Sequence, residues 1–356
     1  MGHIYTNLKI LYYREKLLSL LKDNTEIFPP LHVRIKPTNL CNHNCYYCAY
    51  RVDHLQLGKD MKRKNSIPRE KILEIIDDFE EIGVKAVTFS GGGDPFCYPY
   101  LTETVKKLSE TKIKFAALTN GSLLEGEAAE IFSNHGTWLR VSMDGWDEKS
   151  YSFYRKTPKG EFKKILCNME NFKKKGGKCY LGAVLVIDKN NYPHIYNMVK
   201  RLKSIGVDSV KIAPCIVSNE IRENNKYHNP FFKEAQKQIN KATKELKEDN
   251  FEVYDSYHKM SGKFKKNYTW CPYIQILTVI GADLNIYTCQ DKAYNLSSGL
   301  IGSIKNKRFR EFWFADKNKF FKLNPSIQCQ HHCISNKKNE LILEYLDADP
   351  LHLPFV

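Results

Sequence analysis

The sequence predicts an α/β fold: a partial (β/α)6, TIM-like barrel followed by a small C-terminal cysteine-rich β-hairpin/helix domain. Three observations carry this. Strand-like apolar runs alternate six times with amphipathic helical patterns between residues 31 and 218, and such alternation calls for parallel strands joined by helical crossovers. The 356 residues suffice for one large α/β unit and a smaller one. From about residue 266 the pattern changes to short strands, turns and four cysteines.

Residues 1–30 read as one amphipathic helix and a linker. Leu8, Leu11, Leu17, Leu18 and Leu21 recur at near-helical spacing, and Pro29-Pro30 stops the segment. The predicted strands are 32–38, 86–90, 114–119, 138–143, 180–187 and 209–214. The helices between them are 68–82, 100–110, 123–134, 161–175 and 192–205. Pro68 suits a first helical turn, and Gly83 and Gly206 suit left-handed helix ends. Residues 219–265 are polar and charged, with one helix at 231–249, and read as a connector. In residues 266–356, the runs 273–279 and 285–288 around Gly281-Ala282-Asp283 read as a hairpin with a cysteine near each end.

Hydrophobic content of 42% is ordinary for a globular protein and speaks against disorder. No apolar run approaches the roughly 20 residues that span a bilayer. Residues 1–22 carry scattered charges and no apolar core before a small-residue cleavage site, so no export signal is expected. The eleven cysteines then point to metal binding in a reducing cytoplasm rather than to disulfides. The net charge of +15 reads first as a lysine-rich surface, with attraction to an anionic substrate or nucleic acid as the sharper alternative. Runs such as Lys173-Lys174-Lys175 lack the aromatic interleaving of a nucleic-acid face. Neither nucleic acid nor membrane is therefore an expected partner.

The most specific chemical signal is Cys41-Asn42-His43-Asn44-Cys45-Tyr46-Tyr47-Cys48, directly after the first strand. A structural zinc site wants four ligands in a closed tetrahedron. Three clustered thiolates suit a [4Fe–4S] cluster with one iron left open. This run, including the aromatic Tyr47, resembles the cluster loop of radical S-adenosylmethionine (SAM) enzymes. The resemblance implies a [4Fe–4S] cluster held by Cys41, Cys45 and Cys48, whose open iron binds the amino and carboxylate groups of SAM. Its electron splits the sulfonium, and a 5′-deoxyadenosyl radical takes hydrogen from a substrate. A low-potential electron donor such as flavodoxin or ferredoxin is implied as well.

Further motifs extend the resemblance. Gly91-Gly92-Gly93-Asp94-Pro95, after the second strand, resembles the family's motif for the SAM amino group, with Asp94 where glutamate is commoner. Glycines also let a ligand approach the backbone closely. Asn120 in Thr119-Asn120-Gly121, and Ser142 and Asp144 in Ser142-Met143-Asp144-Gly145, resemble elements near the SAM ribose and methionine. By themselves they read as turn formers. Arg155, just before Gly160-Glu161-Phe162, is a candidate bidentate partner of the SAM carboxylate, level with a reading as a surface arginine.

Cys271, Cys289, Cys329 and Cys333 can close a second [4Fe–4S] cluster, or hold zinc with His331 and His332 as spare ligands. Their layout, with Gly302-Ser303-Ile304 and residues 309–313, resembles the SPASM/twitch extensions of radical SAM enzymes. Only two cysteines follow the hairpin. This implies the shorter twitch type, with one auxiliary [4Fe–4S] cluster fully ligated by protein and acting as an electron acceptor. Cys167 and Cys179 read as core. Cys215, at the end of the sixth strand, and Cys97, just after the glycine motif, are candidate hydrogen donors, against a plainer reading as packed thiols.

Side chains alternate along a strand. If Ser142 faces the lumen, Arg140 and Asp144 do too. Lys211 shares a face with Ala213 and Cys215, and Arg34 and Lys36 share one with Thr38. Inward charges need partners, and the predicted strands offer few carboxylates besides Asp144. The expected function is hydrogen abstraction from a small polar substrate, anionic or sugar-like, giving oxidation or epimerisation. A peptide- or protein-modifying enzyme is the alternative. It is disfavoured because only about 30 residues precede the first strand, too few for a separate peptide-binding module. A zinc-bearing nucleic-acid protein would account for the charge and the cysteines but not for the SAM-like motifs.

Overall fold

A computed structural model describes residues 4–355. The described chain opens with a 3-10 turn at Leu8–Tyr12 and a short helix, α1 (Arg14–Leu18). The single N-terminal helix expected from the leucine spacing is therefore broken, and its first three residues lie outside the described residues. The break falls at Tyr13, whose φ of −118° and ψ of 61° are not helical. Ile10, Leu17 and Leu20 are buried, whereas Leu8, Leu11, Leu18 and Leu21 stay exposed.

The sheet and its crossovers follow. In chain order they are β1 (His32–Ile35), α2 (Arg69–Ile82), β2 (Ala86–Phe89), α3 (Leu101–Ser109), β3 (Lys114–Thr119), α4 (Gly126–His135) and β4 (Trp138–Ser142). Next come α5 (Glu148–Arg155), α6 (Glu161–Lys174), β5 (Tyr180–Ile187), α7 (Ile195–Ser204), β6 (Ser209–Pro214), α8 (Ile221–His228), α9 (Phe232–Glu245) and β7 (Glu252–Asp255). The remainder is β8 (Leu277–Ile280), β9 (Asn285–Tyr287), β10 (Leu300–Ser303), α10 (Phe309–Phe314), α11 (Pro325–Gln328) and α12 (Asn336–Leu346).

All ten strands join one sheet in the order β10-β9-β8-β1-β2-β3-β4-β5-β6-β7. From β8 to β7 every pairing is parallel, and β9 and β10 add antiparallel. The six predicted strands are all present, but the parallel run holds eight. β7 lies in the segment read as a connector. β8 is one arm of the predicted hairpin and also pairs with β1, from His32↔Leu277 to Ile35↔Ile280. The hairpin thus continues the barrel sheet instead of forming its own. Both extra strands have four residues; β7 pairs with the free edge of β6, and β8 with the free edge of β1 as well as with β9.

Along β1, Val33 and Ile35 are fully buried and pack with Ile72, Ile75, Ile76 and Phe79 of α2, while His32 and Arg34 point the other way, into the lumen. Pro68 precedes α2, and Gly83 ends it in the left-handed region at φ 82°. The helix α5 escapes a periodicity search because it is short and polar. It forms on the Asp147 cap, whose side chain accepts from the Ser150 amide at 2.7 Å. One cysteine reading fails: Cys167 is exposed, not core, because it faces outward on α6, whereas Cys179 is buried as expected.

Candidate active site

The loop after β1 carries Cys41, Cys45 and Cys48 to the carboxyl end of the sheet. There they line a cavity of about 170 Å³ together with Gly91, Gly92, Gly93, Asp94, Asn120, Ser142 and Arg155. The ends of four strands thus converge, as parallel α/β sheets arrange their sites.

The glycine loop is small for a reason other than ligand access. A Cβ on Gly92 would stand 1.9 Å from Asn39 Oδ1, and one on Gly93 would stand 1.8 Å from the Leu40 carbonyl oxygen. On the Cβ side of Gly92 and Gly93 the space is taken by the root of the cysteine loop. Gly93 N donates to Thr38 O at 3.0 Å and Asp94 N to Leu40 O at 2.9 Å, so the two loops are fixed as one body. Asp94 is buried and accepts from Asn120 N at 2.6 Å, Phe96 N at 2.9 Å and Thr119 Oγ1 at 3.0 Å. Burial pushes its carboxyl up against these bonds. Its oxygens tie the glycine loop to the end of β3. The backbone of the three glycines remains as the part of the motif that can face a ligand.

Asn120 Nδ2 donates to Asn42 Oδ1 at 2.8 Å and stands 3.9 Å from Cys41 Sγ. Arg155, the last residue of α5, is buried and not a surface arginine. Its Nη1 lies 3.4 Å from Cys45 Sγ, and its Nη2 binds Asp144. Asp144 also accepts from Tyr47 OH and, at 2.8 Å, from Val186 N. Arg155 Nε has no partner.

Two residues here are absent from the sequence reading. His43 is buried, with Nε2 3.2 Å from Glu161 and Nδ1 unpartnered. Burial and then Arg155 push it down to about 4, so it is neutral near pH 7. Its place inside the cysteine run was the one available signal. Asp188, beyond β5, accepts from Tyr46 OH and Tyr154 OH at 2.6 Å each, and no local pattern marks it.

The other four cysteines also meet. Cys271 precedes β8 and Cys289 follows β9, and both line one cavity. Cys329 and Cys333 complete a second cavity with Lys266, His331 and Asn339. Cys333 N donates to Lys263 O at 2.9 Å, and the buried Lys266 Nζ donates to Phe264 O at 2.6 Å and to His331 O. Asn339 comes from α12 and accepts from Cys271 Sγ at 3.5 Å, so the C-terminal helix covers this cavity. Thr288 Oγ1 and His331 Nε2 are buried without partners.

Lys36 and Tyr50 lie between the two thiol sets. Lys36 Nζ donates to Tyr50 OH at 2.5 Å and to Gly91 O. Burial, then Arg34, push the amine well below its usual range, while Asp291, Cys289 and Cys48 oppose the shift. Cys215 is buried on the continuation of the Lys211–Ala213 face, and burial followed by Asp188 and Asp144 pushes its thiol up to about 12. Cys97 is half-buried with Sγ 3.6 Å from Asn42 Oδ1. Neither thiol lines the three-cysteine cavity.

Burial pushes Cys41 and Cys271 up to about 12 and raises Cys48, Cys329 and Cys333 as well. Such thiols favour the thiolate once a metal supplies positive charge. Among the described residues no three His, Cys, Asp or Glu groups converge on a single-ion position. Sulfurs around one zinc stand about 3.8 Å apart, given Zn–S bonds of about 2.3 Å. Those of a four-iron cluster each bind a different iron and stand wider. Three thiols lining one cavity suit a cluster with one iron left open, and four lining the other can close a cluster.

Residues 35–195 match the radical SAM superfamily. The chain is 27% identical over 172 residues to a GTP 3′,8-cyclase of Synechocystis sp., covering 48% of this chain and 50% of the cyclase. It is 29% identical over 205 residues to a serine-type anaerobic sulfatase-maturating enzyme of Bacteroides thetaiotaomicron, covering 54% of this chain and 48% of that enzyme. The chain spans about half the length of the curated relatives it matches. Streptococcus suis SuiB bound to precursor peptide SuiA superposes with a TM-score of 0.63 at 16% identity, over 94% of this chain and 79% of that one, a likeness of fold. The first cysteine loop, the glycine loop and Arg155 all lie inside the matched stretch, so residues 35–195 carry a radical SAM domain, and enzymes of that superfamily use a [4Fe–4S] cluster with SAM.

Proposed function

We propose that this enzyme removes hydrogen from a small polar, anionic substrate. Cys41, Cys45 and Cys48 would hold the SAM-binding cluster, and Cys271, Cys289, Cys329 and Cys333 one auxiliary cluster. Residues 31–218 then form the SAM-cleaving unit, 219–265 a link and 266–356 the auxiliary unit. The observation that carries this reading is the bridge between the two thiol sets: Tyr50 lines the three-cysteine cavity, and its ring meets that of Tyr294, five residues after Cys289, at 6.3 Å. When bound, the clusters supply the electron that cleaves SAM and a sink for an electron leaving the substrate.

The chain's own residues divide the remaining work. Arg155, braced by Asp144, lines the cavity and can orient a carboxylate there. Oxidation of a carbinol to a ketone removes a hydrogen atom, a proton and an electron. A loaded three-cysteine site would supply the acceptor of the hydrogen atom, and a loaded four-cysteine site the acceptor of the electron. Lys36, an amine kept neutral by burial, accepts the proton. Hydrogen return from Cys215, whose thiol burial keeps protonated, would turn the same radical toward epimerisation. The cyclase relative, named for GTP, supports an anionic substrate, and the sulfatase-maturating relative supports a peptide. The unpartnered Nε atoms of Arg34 and Arg140 favour the anion.

Protein reconstituted without oxygen is expected to hold about eight irons and eight sulfides per chain, and to release 5′-deoxyadenosine from SAM under a low-potential reductant. Cys271→Ala/Cys289→Ala is expected to fall to about four irons. Zinc in place of iron, or four irons in both proteins, would remove the electron sink and this oxidation with it.

A further inference from the structure

The lower half of the barrel holds a partly open cavity of about 740 Å³ that shares no lining residue with the three-cysteine site. The first residue of each of the strands β1 to β5 lines it: His32, Ala86, Lys114, Trp138 and Tyr180. It therefore lies at the amino end of the sheet, opposite the cysteine loop. The N-terminal segment closes it from below. Tyr5 OH accepts from Arg140 Nη2 at 2.9 Å and lies 3.1 Å from Ser209 Oγ, and its ring stacks on Tyr254 at 4.2 Å.

The wall of this chamber is cationic. Lys9, Arg140, Lys211 and Lys338 all line it, and no aspartate or glutamate does. Arg140 Nε is buried without a partner, as is Nε of Arg34 one step up β1. Gly182 lines the same space, and a Cβ there would sit 3.6 Å from Arg140 Nε and 3.2 Å from Ser209 Oγ. Lys211 is pushed down to about 7 by burial and then by Arg140, Lys263, Arg34 and Lys338; of these, Arg140 and Lys338 line the chamber with it. Cations held together without carboxylates destabilise a fold unless an anion neutralises them. Several cations around one space match a group with more than one negative charge, and the guanidinium and ammonium heads match phosphate oxygens.

We propose that this chamber is a phosphate-binding pocket. A substrate threads the barrel with a phosphate or pyrophosphate at Arg140 and Lys211 and its reacting carbon beneath the three-cysteine loop. From His32 in the chamber to Lys36 beside Gly91 is four residues of strand, about 13 Å, so the substrate is elongated. The placement of the reacting carbon rests on the proposed function; the phosphate pocket does not.

The test is a titration of inorganic pyrophosphate, and separately citrate, into the full-length reconstituted protein, followed by calorimetry. Saturable one-to-one binding of pyrophosphate is expected, weakened about tenfold or more by Lys211→Gln and by Lys338→Gln. Lys211→Arg should retain it. Lys338 lies on α12, away from the barrel strands, so its variant reads the pocket even if Lys211→Gln folds poorly. No saturable binding, or binding unchanged in both glutamine variants, overturns the pocket. Citrate binding as tightly as pyrophosphate overturns the assignment to phosphate. Release of 5′-deoxyadenosine by the wild type reads the chemistry independently. A protein that cleaves SAM but binds no pyrophosphate loses the pocket alone, and one that binds pyrophosphate but leaves SAM intact keeps the pocket and loses the proposed reaction.

Discussion

Lys36 is fully buried with a tyrosine hydroxyl and a carbonyl oxygen as the hydrogen-bond partners of its amine. Neither carries a full negative charge, so the ammonium form is disfavoured and the neutral amine is available as a base. Lys36→Met keeps the length and removes the amine. Substrate turnover is expected to fall by about 10²-fold or more, with iron per chain unchanged. Turnover at the wild-type rate would rule out this amine as the proton acceptor. Asp94 illustrates the opposite case. Its sequence context suggests a ligand contact, and it lines the three-cysteine cavity while three donors from neighbouring backbone and side chains engage its carboxylate and brace Asn120.

Between elements, the decisive contacts tie the C-terminal region to the barrel. β8 lies parallel on β1, so the second thiol set is placed by the strand that also launches the first. On the outer layer, α2 and α10 are joined through Asp78. This fully buried carboxylate accepts from Arg308 Nε at 2.7 Å and from the Arg310 amide at 3.4 Å. Asp78→Asn preserves the shape and removes the charge, and a loss of about 1–3 kcal/mol is expected for this charge-assisted bond. Thermal melting should show a lower midpoint with iron content preserved. An unchanged midpoint would mean that the partly exposed Arg308 simply returns to water.

Across the whole molecule, the second thiol set draws on the two ends of a hairpin and on the loop between α11 and α12. A metal group there closes long chain loops and contributes to stability through the constraint it places on the unfolded chain. Removing iron with a chelator is expected to deprotect amides of residues 323–346 and of β9 first in hydrogen exchange, while β1 to β6 remain protected. Uniform loss of protection would instead show that barrel and C-terminal region open as one cooperative unit.

What the sequence by itself determined is the local part. Six strands and five crossover helices were legible to within a few residues, because a period of 2 or 3.6 is written in neighbouring side chains. The spacing of Cys41, Cys45 and Cys48 was legible for the same reason, since one short loop carries all three. The tertiary structure decided what depends on distant partners. β7 and β8 are strands because sheet edges were free to receive them, and Tyr13 breaks the leucine-patterned N-terminal segment that the barrel floor receives. Arg155 is buried because α5 forms on Asp147 and delivers it to Asp144. Alternation along each strand told which residues face inward but not at what height. Arg140 pairs opposite Gly182 and Lys211 opposite Val184, and this stagger between parallel strands gathers the cations in one chamber. Strand register is set by long-range packing, and no stretch of sequence contains it.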